Sequence, residues 1–221
     1  ALGGIVHGAT GRAGGIFFKG DGGFGQPVEK HQYVEFGGLS NTFVKESNQF
    51  TFSAWVNIKR YPEQRGVIYD GPGIAGLSVN YDGYLELSSS FDIGEEWPLF
   101  AKITSTNKIG QREWRHIAGT FDGNSLILYI DGIEDRKMDY LENFNGTIYP
   151  LEDLSDPSYN TNLIGGVEYG LGLNGIVDEL QIYGKSLSAQ EILELKESFT
   201  PIEDEDADLR CKVIGGYNFI N

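Results

Sequence analysis

An antiparallel β-sandwich, all-β apart from one short C-terminal helix, is the fold class this sequence predicts. Three observations carry the prediction. The 221 residues include 31 Gly, 12 Tyr and 13 Phe but a single Met, a composition of strands and tight turns rather than of a helical bundle. The run Phe50-Thr51-Phe52-Ser53-Ala54-Trp55-Val56-Asn57-Ile58 alternates strictly, with Phe50, Phe52, Ala54, Val56 and Ile58 on one face. Asp-Gly pairs at Asp82-Gly83, Asp122-Gly123 and Asp131-Gly132 punctuate alternating runs, the strongest short-range hairpin signal. The chain length suits one such domain.

The elements follow in order. Residues 1–13 are Gly-rich and weakly patterned; Gly14–Gly20 predicts a first strand, Asp21–Pro27 a loop, and Gln32–Phe36 a second strand. After Phe50–Ile58, the strongest strand, come a short strand at Arg65–Tyr69, a turn at Asp70–Gly73, and the hairpin Leu77–Tyr81 with Tyr84–Leu87. Trp55 is expected to pack as core area, its alternative being a stacking platform for a sugar. Ser90-Phe91-Asp92-Ile93-Gly94-Glu95-Glu96-Trp97 resembles the Asp-box turn of sialidases. It occurs once, carries Glu96 where that motif has Thr, and is read as a hairpin turn with Asp92 and Gly94 setting the geometry. A strand within Pro98–Ile109 follows, then a meander of Glu113–Phe121 and Leu126–Ile130. His116 is expected to be a packed strand histidine, with no motif pairing it to a nucleophile.

Residues 139–160 form a polar, aromatic stretch expected to be a loop, and a loop this long in a compact domain is often functional. Thr161–Val167 and Leu173–Tyr183 complete the strands. Ser188 with Glu191 three residues on is a capping box that opens a helix, whose Ile192, Leu195 and Phe199 share one face. Glu203–Asp206 is an acidic linker. The tail beyond it, with the lone Cys211, is either one more strand or the start of a neighbouring domain, so residues 1–200 are assigned to one domain and 201–221 to linker and tail.

Three of these stretches resemble one family. Phe50-Thr51-Phe52-Ser53-Ala54-Trp55-Val56, then Trp114-Arg115-His116-Ile117-Ala118 with its turn and Leu128-Tyr129-Ile130-Asp131-Gly132, and finally the Asp178-Glu179 strand followed by a capped helix, are similar to laminin G-like, concanavalin A-like jelly-roll domains. The resemblance spans residues 10–200. It implies a sandwich of two antiparallel sheets and a structural calcium ion on its rim. That ion would be held by an acidic side chain near the first two strands, by backbone carbonyls, and by the Asp of the Asp-Glu pair. Asp178 matches the latter position; Asp21 is the first-strand candidate, although its loop is longer than the family's. Calcium takes six to eight oxygen ligands, so carboxylates plus carbonyls suit it.

Function is narrowed mainly by exclusion. The formal net charge of −15 leaves no basic face for phosphates, so nucleic acid is not an expected partner. No run approaches a transmembrane helix in length, and a single cysteine permits no internal disulfide. Hydrolases on such folds need two carboxylates on one face of a strand, at i and i+2 or i+4. The adjacent pairs Asp178-Glu179 and Glu134-Asp135 do not meet that spacing, and Glu203 with Glu205 does so only in the tail. The expectation is therefore a non-catalytic recognition module, carbohydrate-binding, extracellular or on a cell surface, and part of a larger protein. A protein-adhesion module and a polysaccharide-degrading enzyme are the alternatives. Tyr140, Asn143, Asn145, Tyr149 and Tyr159 are the candidate ligand contacts, because rings suit apolar sugar faces and amides suit hydroxyls. Asn145-Gly146-Thr147 is in addition a glycosylation sequon.

Overall fold

A computed structural model describes residues 15–20, 33–37, 47–71, 75–140, 146–148, 161–166 and 172–199. Asp21, Asn143, Asn145, Tyr149, Tyr159 and the 201–221 tail lie outside these residues. The described chain forms thirteen strands and one helix. They are β1 (Ile16–Lys19), β2 (Val34–Gly37), β3 (Phe50–Ile58), β4 (Arg65–Gly71), β5 (Ala75–Asn80), β6 (Tyr84–Asp92) and β7 (Leu99–Lys108), then β8 (Trp114–Phe121), β9 (Ser125–Ile130), β10 (Ile133–Asp139), β11 (Thr147–Ile148), β12 (Thr161–Ile164), β13 (Asn174–Tyr183) and α1 (Ala189–Ser198).

Two antiparallel sheets result. The six-stranded sheet has the order β1-β13-β3-β8-β9-β10; the seven-stranded sheet runs β11-β6-β5-β4-β12-β2, with β7 on β6. The alternation in β3 does what its pattern requires: Phe50, Phe52, Ala54, Val56 and Ile58 are fully buried between the sheets. Aromatic rings bridge the layers. Phe52 meets Tyr69 at 4.6 Å, and Phe91 meets Phe121 at 4.7 Å between centroids. Such offset and tilted pairs add to the area they bury.

The outer face of the six-stranded sheet is also covered. Leu187 and Ile192 are buried there against Ala118, Ile127 and Tyr129, and Leu195 packs beside them. Helix α1 starts where the capping box places it, with both Ser188 and Glu191 contacts made. It ends one residue short of the expected apolar face, since Phe199 is its extended C-cap.

Three expectations about the strands are corrected. The segment 133–139 was not expected as a strand, yet it is β10. Its sequence Ile-Glu-Asp-Arg-Lys-Met-Asp lacks apolar alternation because it is an exposed sheet edge, where charge discourages pairing with other chains. The 139–160 stretch is not one loop: Asp139 ends β10, and Thr147–Ile148 pairs with Asp92 and Phe91 of β6. This short strand is held by Asn48, whose Oδ1 accepts the Ile148 amide at 2.7 Å. Strand β6 runs on to Asp92, five residues beyond the expected Leu87.

The turns behave as their chemistry predicts. Asp131 and Gly132 both have positive φ (53° and 79°), the primed turn that matches strand twist. At the Asp-box-like turn, Asp92 Oδ1 accepts the Gly94 amide at 2.9 Å and Gly94 has φ 80°, so the segment is a local side-chain-closed turn.

Candidate functional site

Asp178 stands on the outward side of β13, directly opposite Trp55 of β3, which is itself opposite His116 of β8. Just beyond it the register of β13 shifts, and Glu179 has a φ of 47°. A bulge of this kind re-aims side chains, and a non-glycine residue there carries backbone strain. The Asp178 carboxylate accepts the Glu179 amide at 2.9 Å and forms no ion pair among the described residues. Burial pushes its acid up to about 6; the amide bond opposes this, and the Glu179 charge adds to it.

A half-buried carboxylate without a cationic partner is the kind of group that a cation neutralises. The fit to calcium extends to that one ligand. Among the described residues no cluster of three or more His, Cys, Asp and Glu side chains gathers, so backbone carbonyls and residues outside the described set would complete the shell. Strand β1 pairs with β13 so that Ile16 stands opposite Val177 and Lys19 opposite Asn174. Gly15 lies against Asp178: a Cβ built on it would sit 3.1 Å from the Asp178 Cβ.

Trp55 and His116 belong to the same row and are packed. Trp55 is 7% exposed, and its ring meets the imidazole edge-on at 5.4 Å. It is thus not a surface platform. The imidazole Nε2 lies 2.9 Å from the Ser53 hydroxyl, a pairing that no sequence motif announced, because it is made across strands. Both groups are buried, at 1% and 2% exposure, and His116 Nδ1 has no partner among the described residues. Burial first, and the Lys196 ammonium second, pull the His116 pKa down to about 4. A hydroxyl–imidazole pair with no acid behind it and no open approach is a packing contact.

Of the five proposed ligand contacts, Tyr140 is described. Its ring packs against the core, and its hydroxyl donates to the Lys102 carbonyl of β7. Tyr140 is thereby tied to β7, which pairs with β6 in the seven-stranded sheet.

A second constellation lies on the outward face of that sheet, at residues the sequence did not single out. The recess there is lined by Arg65, Val67, Tyr69, Asp70, Gly76, Leu77, Ser78 and Ser88, and its volume of about 10 Å³ admits one water-sized group. Asp70 is opposite Gly76, and Gly76 is opposite Ser88. Gly76 leaves the floor open: a Cβ on it would stand 3.3 Å from Asp70 Oδ1 and 3.5 Å from Ser88 Oγ. Burial raises the Asp70 acid, and the Arg65 charge opposes the rise without closing into an ion pair. Arg65 Nε is buried and has no hydrogen-bond partner among the described residues. Arg65 and Asp70 thus line one small polar space without forming an ion pair across it. No sequence signal marks this recess: the turn expected at Asp70–Gly73 gives way to strand β4, which runs to Gly71.

The family model described as the concanavalin A-like lectin/glucanases superfamily matches residues 28–193. The chain belongs to that superfamily. No curated protein matches the sequence. Among solved structures, domain 4 of AbnA, an extracellular arabinanase of Geobacillus stearothermophilus solved with arabinotriose, is 21% identical with a TM-score of 0.50, over 67% of this chain and 66% of that one. The binding domain of botulinum neurotoxin DC in complex with SialylT is 15% identical with a TM-score of 0.52, over 75% of this chain and 39% of that one. The receptor-binding domain of the mosaic serotype C/D toxin is 14% identical with a TM-score of 0.54, over 75% and 40%. This chain therefore spans well under half of either toxin chain, and these likenesses establish the fold.

Proposed function

We propose that this domain is a non-catalytic carbohydrate-recognition module. The observation that carries the reading is the recess between Arg65 and Asp70: a cation and a half-buried carboxylate that form no ion pair with each other, beside room for one hydroxyl-sized group. Sugar hydroxyls both donate and accept, so one hydroxyl or a neighbouring pair satisfies both residues at once. The arabinanase domain solved with arabinotriose and the toxin domain solved with SialylT support the reading as folds that bear glycans. The non-catalytic part of the proposal draws on the Ser53–His116 pair, which is buried and packed among the described residues. We extend the proposal to a structural calcium ion with Asp178 and Asp21 among its ligands, and to an extracellular or surface setting within a larger protein. The residues Asn143, Asn145, Tyr149 and Tyr159 remain candidate contacts of the same ligand. A protein partner is the second reading, favoured by the exposed side chains of Tyr81 and Ile133.

The test is affinity electrophoresis of the folded protein in gels containing soluble neutral polysaccharides. Asp70→Asn and Gly76→Ala should abolish retardation while leaving the melting temperature within a few degrees, since neither changes the core. Loss in Tyr149→Ala or Tyr159→Ala, with no loss in the Asp70 and Gly76 variants, would move the site to the 141–160 segment.

A further inference from the structure

We propose that the seven-stranded sheet binds the interior of an extended, neutral glycan chain, which crosses the strands from the Arg65–Asp70 recess to an aromatic stop at Phe100; this rests on the carbohydrate reading above. The register supplies the path. Asp70, Gly76, Ser88 and Lys102 form one row across β4, β5, β6 and β7. Phe100 stands two residues from Lys102 on the same face of β7, opposite Ser90. Between the recess and Phe100 the outward side chains are Gly76, Ser88 and Ser90, all short, and Lys102, whose ammonium is drawn aside onto Glu86 at 3.1 Å. The next row is braced: Glu86 pairs with Lys102 at 3.1 Å and accepts from Asn80 Nδ2 at 3.3 Å, so it forms a fixed polar wall.

Three strand spacings separate β4 from β7, about 14 Å in all. A single sugar ring does not span that distance, whereas a short linear oligosaccharide does. Phe100 is 62% exposed and Trp97, in the turn that leads to it, is 75% exposed. Two large aromatics exposed within four residues, at the β7 end of that row, are placed to stack on an apolar sugar face. The ligand is neutral because the protein carries a net charge of −15 and would repel an acidic polysaccharide. The one cation in the recess, Arg65, stands beside Asp70 and offers no net positive field.

The test is titration calorimetry of the wild type, Phe100→Ala and Asp70→Asn with linear neutral oligosaccharides (arabino-, xylo- and cello-series, from the disaccharide to the hexasaccharide), with an oligogalacturonate as the acidic control. Affinity should rise with chain length in the wild type. Phe100→Ala should lose about three- to tenfold on the longest chains and nothing on the disaccharide. Asp70→Asn should lose binding at every length. Length-independent binding that still needs Asp70, or a preference for the oligogalacturonate, would overturn the extended neutral chain but leave the recess as a glycan site. No binding by a well-folded wild type would overturn both. Phe100 is exposed on a strand with one ladder partner, so its variant should fold, and circular dichroism checks that it does.

Discussion

Replacing His116 by glutamine should remove a pH dependence of stability that the fold imposes. In the native protein the imidazole lies 1% exposed, its Nε2 bonded to Ser53 and its Nδ1 without a described partner. Burial and the nearby Lys196 ammonium lower its pKa from 6.5 to about 4. The unfolded chain therefore takes up a proton that the native state refuses, and stability falls as pH drops below the unfolded value. Full protonation would cost about 3 kcal/mol at 1.36 kcal/mol per unit, and by pH 5 about 2 kcal/mol is already lost relative to pH 8. Asp178 acts in the opposite sense: its acid is raised from 3.8 to about 6, so the native state gains a proton first and is favoured as pH falls through that range. The two effects partly cancel in the wild type, which is why the comparison with His116→Gln is needed. Urea unfolding of both proteins between pH 8 and 5 should show the wild type losing about 2 kcal/mol more than the variant. Parallel curves would refute the argument, because they would mean that water or a proton reaches the imidazole in the native state.

Other perturbations test separate parts of the structure. Ser188→Ala breaks the capping box of α1 and should cost about 1 kcal/mol, lowering the melting temperature by about 2–4 °C in a domain of this size; an unchanged melt would mean that packing alone fixes the helix. Asp178→Ala should lower the melting temperature in calcium and leave it unchanged or raised in chelator, since it deletes the proposed cation ligand and a desolvated carboxylate; equal loss in both conditions would remove the ion from the proposal. The Glu191 carboxyl, drawn down to about 2 by Lys185 and the Ser188 contacts, should keep the cap intact at pH 5, so Ser188→Ala should cost as much at pH 5 as at pH 7.5 in the same melts.

The sandwich was legible because strand β3 alternates and the Asp-Gly turns mark the hairpins on either side of β9. Strand β3 was delimited to the residue, and the meander of β8 and β9 to within one. Edges were less legible for a physical reason: β10 is solvent-facing, so charge replaced the alternation that marks a strand. Strand β11 is two residues long and owes its place to Asn48, about a hundred residues away in the chain, a tie that no local pattern encodes.

The sites were less legible than the fold. Asp178 was found through its neighbour Glu179, but the bulge that re-aims the pair, with Glu179 at positive φ, leaves no mark in an Asp-Glu dipeptide. Ser53 and His116 are 63 residues apart and meet only through the β3–β8 register. The Arg65–Asp70 recess needs three strands in register to exist, and its open floor depends on the missing side chain of Gly76, which no local pattern marks. Tyr140, a candidate ligand contact in the sequence, is tied to β7 through its hydroxyl.

The most direct measurement is a glycan array probed with the isolated protein, once in calcium and once in chelator, with the glycans recovered and weighed by mass spectrometry. The account predicts selective binding to neutral glycans, intact glycan masses after incubation, and weaker binding in chelator if the ion at Asp178 supports the site. A blank array from a well-folded protein would contradict carbohydrate recognition and turn the search to a protein partner, and shortened glycans would contradict the non-catalytic reading.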